Sequence, residues 1–359
     1  MLVSASSFST TPSLSAPLPP VLERPAAQIR LPSHAVLINV ARAGTRLVAV
    51  GERGVVIVSD DNGHSWRQSQ VPVGVSLTAV QFVDSKNGWA VGHSGVVLRS
   101  QDGGATWIKQ LDGIHAGSLV LKEAKDATLL NQGTAAEAAL KVAQQFVSDG
   151  PDKPFLDVHF DDAMHGYVVG AYGLILRTSD GGQTWRSWML HVDNPKGLNI
   201  YSIQRDGDTI YLAGEQGYFA RSDDHGESFR RLPTPREASY FAMRAIPGGG
   251  VVVAGLRGTA FESTNYAATW KPTSVASSES ISALLKMMDG RLLFANQTGG
   301  FFVQPSLGLP VRSVGVAPSH SVNAAVEAAN GSIVTVGFQG VSILDSSTVA
   351  SWAEQGRVK

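Results

Sequence analysis

The chain has 359 residues, of which 43% are hydrophobic and 16% charged, and its 29 basic residues nearly balance its 30 acidic ones. This composition is typical of a folded globular protein and excludes a strong overall attraction to nucleic acid or to an anionic membrane. The absence of cysteine excludes disulfides, thiolate metal sites and cysteine nucleophiles. No apolar run is long enough to predict a transmembrane helix.

The first 20 residues are rich in serine, threonine and proline, and they lack the basic start and the apolar core of a secretory signal. Such a composition favours disorder. We therefore predict a disordered tail over residues 1–26. This tail is either unrelated to export or the remnant of a shortened or replaced export signal. Residues 27–359 are predicted to form a single domain.

A short turn of the form G-x-x-G follows an apolar run once in each repeat of the chain. The second glycines of these turns are 41, 78, 44, 41, 41 and 41 residues apart, so the chain contains seven units, one of which is followed by an insertion. The turns are Gly51–Gly54, Gly92–Gly95, Gly170–Gly173, Gly214–Gly217, Gly255–Gly258, the decayed copy Asn296–Gly299, and Gly337–Gly340.

A second motif, S-x-D-x-G-x-[ST]-W, follows most of these turns and is an Asp box. In such a box the aspartate accepts backbone N–H groups across a hairpin turn, the glycine supplies a positive φ, and the tryptophan packs between neighbouring sheets. The fifth box carries Asn265 in place of the aspartate, the sixth is not recognisable, and Ser351-Trp352 is interpreted as the remnant of the seventh. Structural rather than catalytic roles are predicted for Asp61, Trp66, Asp102, Trp107, Asp180, Trp185, Asp224, Phe229 and Trp270.

Between the boxes the pattern predicts four short strands in each unit, which is typical of a propeller blade. Seven blades that close into a ring remove the exposed edges of an open stack. The sequence therefore predicts an all-β, seven-bladed β-propeller with four-stranded blades and Asp-box hairpins. The segment Ala27–Pro32 resembles Arg230–Pro233, and we expect it to close the ring as the outer strand of the last blade.

Residues 113–153 interrupt the repeat between blades 2 and 3. The sequence from Thr134 to Glu137 reads as a capping box that opens a helix, and Ala135, Ala139, Val142 and Phe146 follow at helical spacing. A second helix is predicted over 115–130. The insertion is therefore predicted to be a helical hairpin.

Loops alternate between the two faces of a four-stranded blade. The G-x-x-G turns should consequently share one face with the connections between blades and with the helical hairpin, and we call this the turn face. Turn residues on this face are not needed for packing the core, so the turn face is the predicted binding surface. The residues predicted to contact a partner are Arg53, His93, Tyr172, Gln216, Arg257 and Gln339.

The repeats GWAVGHSGVVLRSQDGGATW (88–107) and GYVVGAYGLILRTSDGGQTW (166–185) resemble those of the photosystem II stability and assembly factor propellers, and of their relatives in non-photosynthetic bacteria. The similarity spans residues 35–352, and the helical hairpin resembles a feature of the non-photosynthetic branch. The resemblance implies a non-enzymatic, periplasmic or exported assembly factor that binds a protein partner, namely a membrane protein or membrane complex. It implies a mode of binding rather than photosystem II as the partner.

An alternative is a sialidase-like glycoside hydrolase, because Asp boxes also occur in those propellers. Such an enzyme uses several arginines, a tyrosine with a glutamate, and an acidic residue; Arg53, Arg257, Tyr172 and Glu215 are the candidates in this chain. The pattern supplies no third arginine, and the arginine-isoleucine-proline start of sialidases is absent. The nine histidines form no metal-binding motif. We therefore expect a monomer without catalytic residues, metal, cofactor or nucleic acid.

Overall fold

The structure, a computed structural model, describes residues 20–130, 133–316 and 320–354. Within them the chain forms seven antiparallel sheets, each with its strands in sequence order. The sheets of blades 1 to 3 contain β1 (Leu37–Ala43), β2 (Arg46–Gly51), β3 (Val56–Ser59) and β4 (Arg67–Gln68); β5 (Leu77–Phe82), β6 (Gly88–Gly92), β7 (Val97–Ser100) and β8 (Ile108–Leu111); and β9 (Phe155–Phe160), β10 (Gly166–Gly170), β11 (Ile175–Thr178) and β12 (Arg186–Ser187).

The sheets of blades 4 to 7 continue the same order. They contain β13 (Ile200–Asp206), β14 (Thr209–Gly214), β15 (Phe219–Ser222) and β16 (Arg230–Arg231); β17 (Tyr240–Ile246), β18 (Gly250–Gly255), β19 (Ala260–Ser263) and β20 (Lys271–Pro272); β21 (Ile281–Lys286), β22 (Leu292–Asn296), β23 (Gly300–Gln304) and β24 (Arg312–Val316); and β25 (Ala324–Glu327), β26 (Ile333–Gly337) and β27 (Gly340–Leu344). Among the described residues blade 7 therefore has three strands, whereas the other six blades have four.

The first strand of each blade is the innermost, and these strands contact one another in succession until β25 meets β1. Seven clusters of buried hydrophobic side chains lie between adjacent blades, one at each interface. Successive side chains of a strand point to opposite sides of its sheet, so each blade packs apolar side chains against both neighbouring blades. The predicted seven-bladed all-β propeller is confirmed.

The N-terminal segment does not form the predicted outer strand of blade 7. Most of the predicted tail, residues 1–19, lies outside the described residues, and the segment that follows is held by blade 1. The side chain of Gln68 in β4 accepts a hydrogen bond from the N–H of Ile29 and donates one to the carbonyl of Ala27, both at 2.9 Å. The prediction failed because the backbone of this segment bonds to the Gln68 side chain in blade 1 and not to a strand of blade 7. Ring closure includes a bond from the Asn323 amide to the carbonyl of Leu37 (2.8 Å).

Two helices, α1 (Gly113–Leu130) and α2 (Thr134–Ser148), lie between β8 and β9 and pack against each other. The predicted capping box at Thr134 is wrong. Gly133 occupies the N-cap in an extended conformation and no side chain caps the helix, so Thr134 is already helical. Ala143 and Phe146 of α2 join the hydrophobic cluster between blades 2 and 3, which fixes the hairpin to the propeller.

The predicted remnant of a seventh Asp box is also wrong. Ser351 and Trp352 lie in a third helix, α3 (Ser346–Glu354), which follows the last strand of blade 7. The buried Trp352 ring packs near Phe301 of blade 6, with 6.3 Å between ring centroids. The tryptophan thus fills the same kind of inter-blade space as the box tryptophans, but from a helix.

Candidate partner-binding face

In five blades the G-x-x-G turn is a tight turn whose two central residues have the left-handed backbone conformation. In blade 1 the N–H of Val55 donates to the carbonyl of Glu52 (3.0 Å), and φ is +56° at Arg53 and +77° at Gly54. Positive φ at both central residues is typical of a type I′ turn, whose twist matches that of the flanking strands. The second glycine of the motif is therefore the second central residue of this turn.

Five blades place a residue other than glycine at the first central position of this turn. Left-handed φ costs such a residue about 1 kcal/mol or more, so that glycine, asparagine or aspartate is usual there. The chain instead carries two arginines, a tyrosine, a glutamine and a serine, with φ between +51° and +57°. These residues are Arg53, Ser94, Tyr172, Gln216 and Arg257.

Four of these five belong to the predicted site, and the structure places all four on exposed turns of the turn face. In blade 2, however, Ser94 and not the predicted His93 holds the strained position, although His93 is exposed beside it. The sequence could have identified Ser94, because it immediately precedes the second glycine of the motif, as Arg53 does in blade 1.

Gln339 and Tyr172 are tied to their surroundings more than the sequence indicates. The Gln339 side-chain oxygen accepts hydrogen bonds from the backbone and the hydroxyl of Ser321, at 3.0 and 2.9 Å. Tyr172 is 57% exposed, yet its ring lies 6.2 Å from Phe146 of α2 and 5.5 Å from the Lys153 ammonium. Tyr172 therefore connects the turn face with the helical hairpin.

The turn face and the helical hairpin also expose apolar side chains that are not among the residues predicted to contact a partner. Phe338 of blade 7 is 62% exposed, and Leu129 and Leu130, at the end of α1, are more than 80% exposed. A groove of about 410 Å³ lies between the hairpin and the connection from blade 3 to blade 4, with Val142 and Tyr172 on its walls. The face is therefore mixed in chemistry, with arginines on some blades and apolar groups on others.

The four residues on which the glycosidase alternative depends do not converge. A central channel of about 730 Å³ runs along the innermost strands, and Arg53, Tyr172, Glu215 and Arg257 are not among the described residues that line it. Each lies on the turn of a separate blade. A sialidase site needs its arginines and its acid around one sugar, and this arrangement does not supply that.

The Asp boxes lie on the opposite face, where they fasten the turns between third and fourth strands. In blade 4, Asp224 accepts hydrogen bonds from the hydroxyl and the backbone N–H of Ser228 (2.6 and 3.0 Å) and from the Ser222 hydroxyl (2.7 Å). These bonds, led by the one from the Ser228 hydroxyl, lower the pKa of Asp224 to about 2. Asn265 replaces the aspartate in blade 5 and keeps equivalent bonds to Ser263 and Thr269.

This geometry predicts acid sensitivity of the boxes. Because the folded pKa of Asp224 lies below its unfolded value of about 4, its carboxylate stabilises the fold above pH 4, and this contribution is lost as the pH falls towards 2. Asp224→Asn should therefore take up about one proton fewer on unfolding between pH 4 and 2. Urea midpoints across this range measure the difference, and Asn265→Asp is the reciprocal control that should steepen the dependence. Identical slopes in the three proteins would contradict the assignment.

Among residues 20–130, 133–316 and 320–354, no group of three or more histidine, aspartate, glutamate or cysteine side chains is arranged to hold a metal ion. Within the same part of the chain no helix is both long and apolar enough to cross a membrane.

Comparison with known proteins finds several curated relatives that match part of the chain, of which two are described. A photosystem II assembly lipoprotein Ycf48 from a Synechococcus strain is 31% identical over 117 residues, which are 32% of this chain and 33% of that protein. The chloroplastic photosystem II stability/assembly factor HCF136 of Oryza sativa is 26% identical over 141 residues, 38% of this chain and 33% of that protein. The matches thus span about a third of the length of these relatives.

Solved structures resemble the chain over most of its length. A structure described as YCF48 bound to D1 peptide has a TM-score of 0.62 at 15% identity and covers 88% of this chain and 94% of its own. YCF48 from Cyanidioschyzon merolae has a TM-score of 0.61 at 16% identity and covers 88% and 97%. At such low identity these likenesses establish the propeller fold alone.

The family model described as photosynthesis system II assembly factor YCF48 matches residues 58–124 and 137–312 of the chain. These segments begin in blade 1, end in blade 6 and together make up more than half of the chain. The chain therefore belongs to this family.

Proposed function

We propose that this protein is a non-enzymatic, exported scaffold that binds a membrane protein partner through the turn face and the helical hairpin. The observation that carries the proposal is the strained non-glycine residue repeated at one turn position in five blades. Strain of this kind persists only where the surrounding structure supports it, and it clusters at functional sites. The five side chains differ in chemistry, as expected of a surface that contacts an extended segment of a partner at several points.

The names of the relatives support the kind of partner and the compartment. Several are named photosystem II assembly lipoproteins, and one solved relative was determined with a D1 peptide. A lipoprotein is attached to a membrane, so its assembly partners are within reach of that surface. By this analogy the present chain is an exported protein that holds a segment of a membrane protein, and the identity of that segment follows from its own turn-face residues.

The helical hairpin extends the same surface. Val142 on α2 lines the groove together with Tyr172 of the turn face, and Leu129 and Leu130 at the end of α1 expose further apolar area on the hairpin. Exposed apolar side chains that adjoin charged ones are typical of protein interfaces. The hairpin therefore adds an apolar contact area to a rim that carries Arg53 and Arg257.

Affinity capture and crosslinking of the tagged protein from its native cells, membranes included, tests this proposal. The double variant Arg53→Glu/Arg257→Glu should lower recovery of a specific membrane protein by about tenfold or more, since charge reversal opposes electrostatic complementarity. Lys86→Glu/Arg186→Glu makes the same change of charge at two exposed positions away from the G-x-x-G turns and should leave recovery unchanged. Equal recovery by all three proteins would contradict the turn face as the binding surface. Absence of any specific partner would contradict the scaffold role.

A further inference from the structure

The central channel contains an arginine that forms few bonds with the described residues. Arg244 lies on β17 and lines the channel of about 730 Å³. It forms no ion pair within 4.0 Å among the described residues, and its one hydrogen bond there is a long one, 3.4 Å, to the carbonyl of the adjacent Met243. A guanidinium group with five N–H donors is thus almost wholly unused by the protein.

Asp157 attracts Arg244 electrostatically, but the two side chains form no ion pair within 4.0 Å. Asp157 also lines the channel, but its two carboxylate oxygens accept hydrogen bonds from the backbone N–H groups of Val158 and Ile203, both at 2.9 Å. His159 is engaged with Asp161 at 3.0 Å. Burial raises the pKa of Asp157 and lowers the pKa of Arg244, as expected where charges face a confined space.

The geometry points to an anion-binding site in the channel, at which Arg244 binds the carboxylate of an organic monocarboxylate. A guanidinium group forms two parallel hydrogen bonds with a carboxylate, which is the geometry that it satisfies best. The site offers one permanent cation, and the acidic Asp157 and Glu52 line the same channel from other blades. A dianion such as phosphate would meet too little positive charge and repulsion from these carboxylates.

The rest of the channel suits an organic body attached to that carboxylate. Tyr201 and Phe241 lie on the channel wall with their rings 5.5 Å apart, and Phe241 is partly exposed. Ser202 and Gln204 add polar groups to the same wall. The ligand is therefore either a free small acid or the carboxyl terminus of a peptide, since both present a monocarboxylate next to an apolar group. None of the six residues predicted to contact a partner is among the described residues that line the channel, although the neighbouring turn residues Glu52 and Phe338 are.

Isothermal titration calorimetry with the full chain tests the inference. N-acetyl-leucine should bind and N-acetyl-leucinamide, which lacks the charge, should bind about tenfold more weakly or not at all. A leucine-ending peptide with a free or an amidated terminus forms the second arm. Binding of the free-acid peptide but not of N-acetyl-leucine would assign the site to peptide termini, and binding of both would include small acids.

Three variants separate the role of Arg244 from a loss of folding. Arg244→Gln should lose binding of the acids, whereas Arg244→Lys retains the charge but not the paired hydrogen bonds and should bind more weakly than the wild type. Arg186→Gln, at an exposed position outside the channel, should bind normally, and thermal unfolding confirms that each variant is folded. Equal binding of acid and amide, unchanged binding by Arg244→Gln, equally strong binding of inorganic phosphate, or no binding of any acid would overturn the inference.

Discussion

Replacement of Gly214 by alanine is expected to destabilise the propeller by about 3 kcal/mol, the upper range for overpacking a tight site. A methyl group at this position would lie 2.1 Å from the carbonyl oxygen of Asn199. That oxygen accepts a hydrogen bond from the N–H of Glu215 (3.0 Å), so it cannot move away without breaking the bond. The φ of Gly214 is −166°, which any residue adopts. The requirement for glycine is thus steric contact and not backbone conformation.

The same contact explains the first glycine of the motif in other blades. A methyl group would lie 2.0 to 2.2 Å from a backbone carbonyl at Gly51, Gly92, Gly170, Gly255 and Gly337 as well. Urea unfolding of Gly214→Ala measures the loss. Gly117→Ala is the matched control, because Gly117 lies within α1 and its nearest contact would be an ordinary 3.6 Å. This control should stabilise the helix by about 0.5–1 kcal/mol. A small loss of stability in Gly214→Ala would contradict the prediction, because it would show that the Asn199 carbonyl can move away from the added methyl group.

Replacement of both Arg53 and Arg257 by glycine is expected to leave the fold as stable as the wild type or more stable, while binding of the partner is lost. Glycine relieves a left-handed conformation that costs about 1–2 kcal/mol at each site, offset in part by the greater freedom of glycine in the unfolded chain. The two side chains are also the positive groups of the predicted site. Thermal and urea unfolding measure the first half of this prediction.

The Asp-box face supplies a matched control. Asn62 and His225 are also left-handed, with φ of +60° and +59°, but they lie in the box turns. The pair Asn62→Gly/His225→Gly should change stability in the same direction and leave binding intact. Strong destabilisation of Arg53→Gly/Arg257→Gly would contradict the prediction, because it would show that the two arginine side chains make stabilising contacts with the fold.

The repeat made the fold predictable from sequence, because each recurring spacing has a local physical cause. Gly51 allows close approach of a carbonyl, Gly54 adopts positive φ, and Asp61 accepts hydrogen bonds from Ser65. These requirements act within one blade, so they recur with the period of the chain. The family resemblance rests on the same positions and is confirmed by the family model.

Features that depend on one blade alone were missed. Trp352 fills an inter-blade space from a helix, and the Gln68 side chain holds the N-terminal segment in place of a strand, so neither follows the repeat. Arg244 occurs once and has no periodic counterpart that would single it out. The predicted turn-face residues were placed on exposed turns by the alternation of loops, but their left-handed conformation was visible only in three dimensions.

The most direct test of the central claim is the amount of partner that the protein captures from native membranes, compared among the wild type, Arg53→Gly/Arg257→Gly and Asn62→Gly/His225→Gly. If the turn face binds the partner, the arginine pair captures little while the control pair captures as much as the wild type, although both pairs remain folded. Full capture by the arginine pair, or loss of capture by the control pair alone, would contradict the account and place binding on the Asp-box face or elsewhere.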